Sequence, residues 1–490
     1  MDAQVKLVRT EGFLSRFAQR SASRAPLLGS LPLLPTYCTP PTPGMEAYYV
    51  LLGVNGVSYA VVLDTGSSNL VLAGEPCSSC DLAPKVPALN EGVVAALFNI
   101  SYGTGGVQAE VAFGGLDLGP DLHVQNGSYG LIVRQFTSFG FNMFPPKGNL
   151  CYNTYAGVLG LAYSGQAAGP GPGGTTTNGT TTPLLDQLVA RGLPNAFAIE
   201  ACLHYPVLEG ECDAHHMPGR QDNLTWEPSS DCGKKSVGNL MLGGWASDRL
   251  AEPVKWTPAM SEIHYDVQML GVRVCGGSGC TLVSFPDPMD GSSEDDCTCS
   301  TPTCAAGGVS FCSFAVVDSG AGRMYMNTVR NAVALLDTMA ASEMVEGDTD
   351  TAFWYNQSAS LHAVVRPGAS IAVLLPRTDG KGIHEIKVDL DAVFRNSKKG
   401  LVQIGITGNL DYIVQAQANK FPTLLGATLL QGKTVIFDRS RRQIGFAESK
   451  DGVCTTPVSI ADMDSFGANS DPTPGIGCLR GTGNGGGCPQ

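Results

Sequence analysis

Two short segments of this chain place an aspartate where it can do acid–base chemistry. Ala60-Val61-Val62-Leu63 runs into Asp64-Thr65-Gly66-Ser67, and Ala315-Val316-Val317 runs into Asp318-Ser319-Gly320-Ala321. Short β-branched runs closed by Gly are strand-to-turn signals, so each carboxylate is expected at a strand end, in a tight turn. Two carboxylates held a few ångströms apart cannot both ionise, and such a pair shares one proton. One then acts as general base on a water while the other polarises a carbonyl, which is chemistry suited to splitting an amide.

The elements that must position these turns also come in pairs. Gly157-Val158-Leu159-Gly160-Leu161 follows the first aspartate, and Thr423-Leu424-Leu425-Gly426-Ala427 follows the second at a similar distance. A repeat in the same order implies two related lobes in one chain. Apolar stretches broken by frequent Gly and Pro predict a mostly β protein, with strands around 48–52, 59–63, 131–133, 240–242, 316–317, 371–375 and 433–437. Helices are few: Leu and Val at helical spacing after Pro183 predict one over 183–190, and another is expected over 327–339. The Gly/Pro/Thr-rich stretch 165–182 reads as a surface loop, and 204–235 and 276–313 read as cysteine-bearing insertions.

These residues resemble the pepsin-family aspartic endopeptidases over roughly 46–447, with large insertions. The resemblance implies a bilobal, mostly β fold with a cleft between two related lobes. It implies Asp64 and Asp318 as the catalytic pair, and reciprocal hydrogen bonds between the turns through Thr65 and Ser319. Gly66 and Gly320 would let the backbone approach, and Ser67 would bond the outer oxygen of Asp64. Ser101-Tyr102-Gly103-Thr104-Gly105 is similar to the family's flap, with Tyr102, Gly103 and Thr104 covering an extended peptide substrate. The segments 435–439 and 442–447 resemble the family's last-lobe hairpin, and the wording around 157–163, 242–244 and 444–447 is most similar to the β-secretase (memapsin) branch. No metal and no organic cofactor is implied. Two departures stand out. Ala321-Gly322-Arg323 replaces the usual hydroxyl-then-apolar continuation, and none of the four Trp residues falls near the flap or the first turn, which implies a looser flap.

The organisation expected is a leader or prosegment remnant over 1–44, a first lobe over 45–250, a second over 251–454, and a Gly/Pro-rich, disordered tail over 455–490. At 490 residues the chain can bury two ordinary cores. A formal net charge of −13 argues against nucleic acid and anionic membranes as partners. A monomer acting on peptide or protein is expected, and no run of 18 apolar residues predicts a membrane span, a departure from the anchored β-secretase pattern.

Sixteen cysteines are many for a reducing cytosol. Cys77 and Cys80, and Cys275 and Cys280, would close small loops, while Cys297, Cys299, Cys304 and Cys312 crowd the approach to Asp318. Zinc is the competing reading, but no second Cys-x-x-Cys lies at finger spacing and the histidines are scattered. Pairing stays open from spacing alone; the resemblance implies that Cys454 ties back within the second lobe. N-glycosylation triplets begin at Asn99, Asn126, Asn178, Asn223 and Asn356. These features point to the secretory pathway, to an extracellular space or an acidic vacuolar or lysosomal lumen. A glycan on Asn99, three residues before Tyr102, would crowd the flap, so that site reads as unused. The basic start (Lys6, Arg9, Arg16, Arg20 and Arg24) fits a prosegment over the carboxylates, a transit peptide or a misassigned start.

Other chemistries fit less well. A trypsin-type site needs Gly on both sides of Asp-Ser-Gly, and Val317 and Ala321 stand there; no Gly-x-Ser-x-Gly elbow appears either. The remaining alternative is a weak or inactive homologue that binds peptides, since a fold can outlive its chemistry.

Overall fold

The computed structural model describes residues 27–35, 48–80, 84–87, 97–102, 105–119, 122–136, 155–164, 181–202, 236–276, 279–283, 313–326, 344–346, 353–356, 368–396, 401–404, 406–408 and 423–465. The fold is mostly β, as the apolar patterning predicts. Val57–Asp64 forms a strand whose last six residues are all buried, and Leu70–Ala73 and Gly157–Gly160 are buried throughout. Strands covered on both faces read as continuous apolar runs, which is how they look in sequence. Tyr48–Val54 enters Val57–Asp64 through Asn55 and Gly56, both at positive φ (51° and 84°), the backbone that a tight hairpin requires.

The two halves repeat one pairing pattern. Val57–Asp64 runs parallel to Gly157–Gly160, which pairs antiparallel with Leu70–Ala73, which runs parallel to His123–Gln135. Ser313–Val317 likewise runs parallel to Thr423–Leu425, which pairs antiparallel with Met324–Met326, which runs parallel to Ile406–Gly408. The doubled motif in sequence is therefore a doubled topology in space.

A single antiparallel sheet joins the halves, in the order Lys255–Pro258, Gln443–Glu448, Lys433–Asp438, Ala196–Ala201, Gly238–Leu242 and Gly29–Pro35. Its central seam pairs Lys433–Asp438 with Ala196–Ala201, strands far apart in sequence. Phe197 stacks on Phe437 at 4.6 Å across that seam, and Tyr265 packs on both rings. Each fully buried ring of this kind contributes about 1.5–3 kcal/mol. The helix Leu184–Val189 follows Pro183 and buries Leu184, Leu185 and Leu188. The helix expected over 327–339 lies outside the described residues. Among the described residues no helix is long and apolar enough to cross a membrane.

Three features differ from the sequence reading. Residues 29–35, inside the segment read as a leader, form a strand that links the joining sheet to Tyr48–Val54. Cys454 pairs with Cys202, 252 residues earlier, rather than within the second half. The physical reason is the central seam, which brings the end of Ala196–Ala201 beside the chain leaving the last hairpin. Residues 455–465 are also ordered. Val458 and Met463 are buried with Leu28, Met241 and Ile436, and Asp464–Ser465 pairs with Gly244–Trp245. Buried Glu200 supports this strap: it takes two bonds from Arg249, which also donates to the carbonyls of Val453 and Thr456. Cys77–Cys80 and Cys275–Cys280 are bridged as the short-loop reading expects. Cys297, Cys299, Cys304 and Cys312 lie outside the described residues.

Candidate active site

Each aspartate stands where its strand ends. Asp64 closes Val57–Asp64 and is 6% exposed, and Asp318 follows Ser313–Val317. The Gly66 N–H donates to Asp64 Oδ1 at 2.8 Å, and the Gly320 N–H donates to Asp318 Oδ1 at 2.8 Å. The Ser67 hydroxyl donates to Asp64 Oδ2.

Thr65 and Ser319 hold the two turns together. The Thr65 N–H donates to Ser319 Oγ at 3.1 Å, and the Ser319 N–H donates to Thr65 Oγ1 at 2.9 Å. Each hydroxyl then donates onward across the divide, Thr65 to the Val317 carbonyl and Ser319 to the Leu63 carbonyl, both at 2.8 Å. Both side chains are fully buried, so every donor and acceptor in the lock must find a partner.

The glycines are dictated by close approach. A Cβ on Gly66 would lie 2.8 Å from the Asp318 carboxylate oxygens, and one on Gly320 would lie 2.6 Å from Asp64 Oδ1. Each turn therefore presents bare backbone to the other's carboxylate. Behind the turns, a Cβ on Gly160 would strike the Ser68 carbonyl carbon at 2.5 Å, and one on Gly426 would strike the Arg323 and Ala321 carbonyls at 2.1 and 2.3 Å. The two apolar-apolar-Gly segments thus thread behind their turns and bond to them, Leu161 N–H to the Asp64 carbonyl and Ala427 N–H to the Ala321 carbonyl.

The electrostatics follow from this geometry. Burial pushes the Asp318 carboxyl well above the usual aspartate range, and the charge of Asp64 and a hydrogen bond with it push the same way. The Gly320 and Ala321 N–H groups oppose this and do not outweigh it. Ala321 is buried and offers no hydroxyl. Tyr102 ends the strand Leu97–Tyr102 and packs against the cluster that buries Phe98 and Ile100. Burial first, then the Asp64 charge, raises its phenol above the ordinary tyrosine value. Gly103 and Thr104 lie outside the described residues.

Two supports went unread in the sequence. The Tyr265 carbonyl accepts from the Val317 N–H at 3.1 Å, one residue before Asp318, and its hydroxyl donates to the Leu161 carbonyl at 2.7 Å. One buried residue of the second half thus touches the backbone behind both turns. Arg439 lies over the Tyr163 ring, 4.8 Å from its centroid, and pairs with Asp186 at 2.7 Å. Neither carries a local motif. Trp245 and Trp256 pack edge-to-face at 6.3 Å beside the strap, in a cluster separate from the one under Tyr102.

No protein-family model matches the chain. Among curated proteins it is 22% identical to cathepsin E-B of Xenopus laevis over 245 residues, 48% of this chain and 50% of that protein. It is 24% identical to gastricsin of Cavia porcellus over 242 residues, 48% and 50% of the two chains. The chain is similar to pepsin-family aspartic proteases. A third such relative, pepsin II-2/3 of Oryctolagus cuniculus, is 24% identical over 254 residues, 49% of this chain and 53% of that one. The chain spans about half the length of the curated relatives it matches.

Proposed function

We propose that this chain is an aspartic endopeptidase that hydrolyses internal peptide bonds at acidic to weakly acidic pH. The observation that carries the reading is the reciprocal Thr65–Ser319 lock, which sets each carboxylate against the bare glycine of the opposite turn. Two donors reach Asp64, the Gly66 N–H and the Ser67 hydroxyl. Asp318, raised by burial and by the Asp64 charge, holds the proton. Asp64 takes a proton from the attacking water while Asp318 donates to the carbonyl oxygen of the substrate. Tyr102 covers the scissile bond and excludes water. The peptide lies extended, its main chain paired along the flap and its side chains in alternate pockets.

The repeated pairing pattern supports two lobes divided near 250, with Gly29–Pro35 paired within the first and the strap reaching back from the second to Gly244–Trp245. Three disulfides among the described residues support a secretory placement, outside the cell or in an acidic lumen, as a secreted glycoprotein made as a zymogen. Segments 157–163, 242–244 and 444–447 support the β-secretase branch as the finer assignment.

The test is incubation of the purified chain with a mixed peptide library from pH 3 to 7, with and without a statine-type transition-state mimic. Cleavage that the mimic blocks, and that Asp64→Asn and Asp318→Asn abolish, is the expected result. A wild-type chain that is inert on every peptide yet binds the mimic would replace this reading with a peptide-binding homologue.

A further inference from the structure

The edge hairpin of the first half carries a motif that peptide cleavage leaves unused. Asn99-Ile100-Ser101 is an acceptor triplet for an N-linked glycan, and from sequence a glycan there reads as crowding the flap. The strand geometry reverses that reading. Successive side chains of a strand face opposite ways. Phe98 and Ile100 are buried in the cluster that Tyr102 also packs against, so Asn99 faces the other side. It is exposed there, and its Oδ1 accepts one long bond, 3.4 Å, from the half-buried Gln108 side chain on the neighbouring strand. Leu97 shares that face and is 54% exposed. Leu97–Tyr102 is also the outermost described strand of its sheet. An open edge beside an exposed apolar side chain is a template for pairing with another chain.

We propose that Asn99 is an N-glycosylation site whose glycan lies on the outer face of the flap hairpin, over Leu97 and the sheet edge, clear of the face that carries Tyr102. The proposal rests on the secretory placement given above. In the transfer the Asn99 side-chain nitrogen loses a proton and bonds the anomeric carbon of a lipid-diphosphate-linked oligosaccharide. The bond from that carbon to the phosphate oxygen breaks, and the lipid diphosphate leaves. Gln108 gives up only an exposed, long hydrogen bond. The hydrated glycan then caps the edge without entering the substrate side.

Asn126 supplies an internal control. It too is exposed, but Ser128 of its triplet is buried, with its N–H bonded to Gln187 and its Oγ to the Thr182 N–H. The full chain is made in a eukaryotic secretory host, and its glycans are removed enzymatically in heavy-oxygen water, which marks each released Asn as labelled Asp. Label at position 99 is expected. Asn99→Gln and Ser101→Ala should each lose one glycan by intact mass and self-associate at lower concentration in sedimentation, and Asn99→Gln should cleave a short peptide at the wild-type rate. Ser101→Ala keeps the Asn99 side chain, so a folding failure of Asn99→Gln does not remove the test. Label at Asn126 with none at Asn99 would overturn the proposal alone. A chain with no label at any triplet would overturn it together with the secretory placement. Glycan-free variants that stay as monomeric as wild type would overturn the role assigned to the glycan at the edge.

Discussion

The turn at Asp64 and the turn at Asp318 share their strand pairing, their glycines and their cross-turn bonds, and they differ in the side chain three positions beyond the aspartate. Ser67 donates its hydroxyl to Asp64, whereas Ala321, at the matching place, has none to give. A near-symmetric scaffold therefore holds two inequivalent carboxylates. The lock ties the two turns together, while the residue three positions beyond each aspartate decides whether a side-chain hydroxyl reaches its carboxylate. A hydroxyl that bonds the ionised form favours it, and an alanine side chain leaves only the backbone N–H groups of Gly320 and Ala321 to oppose burial.

The largest expected effect comes from removing either carboxylate. Asp64→Asn and Asp318→Asn should each lower peptide cleavage by about 10²–10⁴-fold or more, measured as kcat on one fluorogenic peptide. Their stabilities should differ in a way that exposes the asymmetry. The folded Asp318 carboxyl is raised, so its contribution to stability is full at low pH and is lost as pH rises through its folded value. Asp318→Asn should therefore gain thermal stability over wild type near pH 7 and match it near pH 3. Equal differences at both pH values would place the proton elsewhere.

Breaking the lock tests whether the two halves share one device. Thr65→Val and Ser319→Ala each leave buried donors or acceptors without partners, which costs about 1–3 kcal/mol. Because each hydroxyl accepts from the backbone N–H of the other residue, the two positions hold one device, and the double variant should lose less than the sum of the two singles. Strict additivity in urea titrations would mean that the turns are held independently.

Exchanging the distinguishing residue sharpens the comparison. Ala321→Ser adds a donor beside Asp318 and should move the pH–rate profile downward by about 1–2 pH units, the equivalent of one charge-assisted hydrogen bond. Ser67→Ala withdraws the donor from Asp64 and should move the acidic limb upward. Profiles that overlay wild type would show that these positions do not govern the pair.

The smallest effect is expected at Tyr265. Tyr265→Phe removes only the bond to the Leu161 carbonyl and should cost about 0.5–1.5 kcal/mol of stability. As a positioning residue it should lower kcat with KM unchanged, since it supports the backbone behind both turns and meets no substrate. A fall in stability with kcat intact would make its role purely structural.

Both aspartates and the paired followers were legible because each is a local pattern, a β-branched run, a glycine turn or an apolar-apolar-Gly segment, whereas the lock joins residues 254 apart and was implied only by the family resemblance. The strands over 48–52, 59–63 and 433–437 were legible for the same reason, as alternation and burial leave their mark within a few residues. Tyr265 was not, since what makes it matter is a register that brings residues 161, 265 and 317 together. The strand Gly29–Pro35 was hidden by its prolines and by the basic segment before it, and only its partners on either side identify it as part of the sheet.

Sequence by itself determined that two carboxylates would stand at strand ends in glycine turns, because strand and turn propensities act over neighbouring residues. Only the tertiary structure decided that Cys454 meets Cys202, that residues 455–465 become a strap, and that Asn99 faces away from the cluster of Phe98, Ile100 and Tyr102. Those outcomes depend on which distant strands pair and in what register. Burial of the Phe197, Phe437 and Tyr265 rings favours that pairing, and no local window of the chain contains all three.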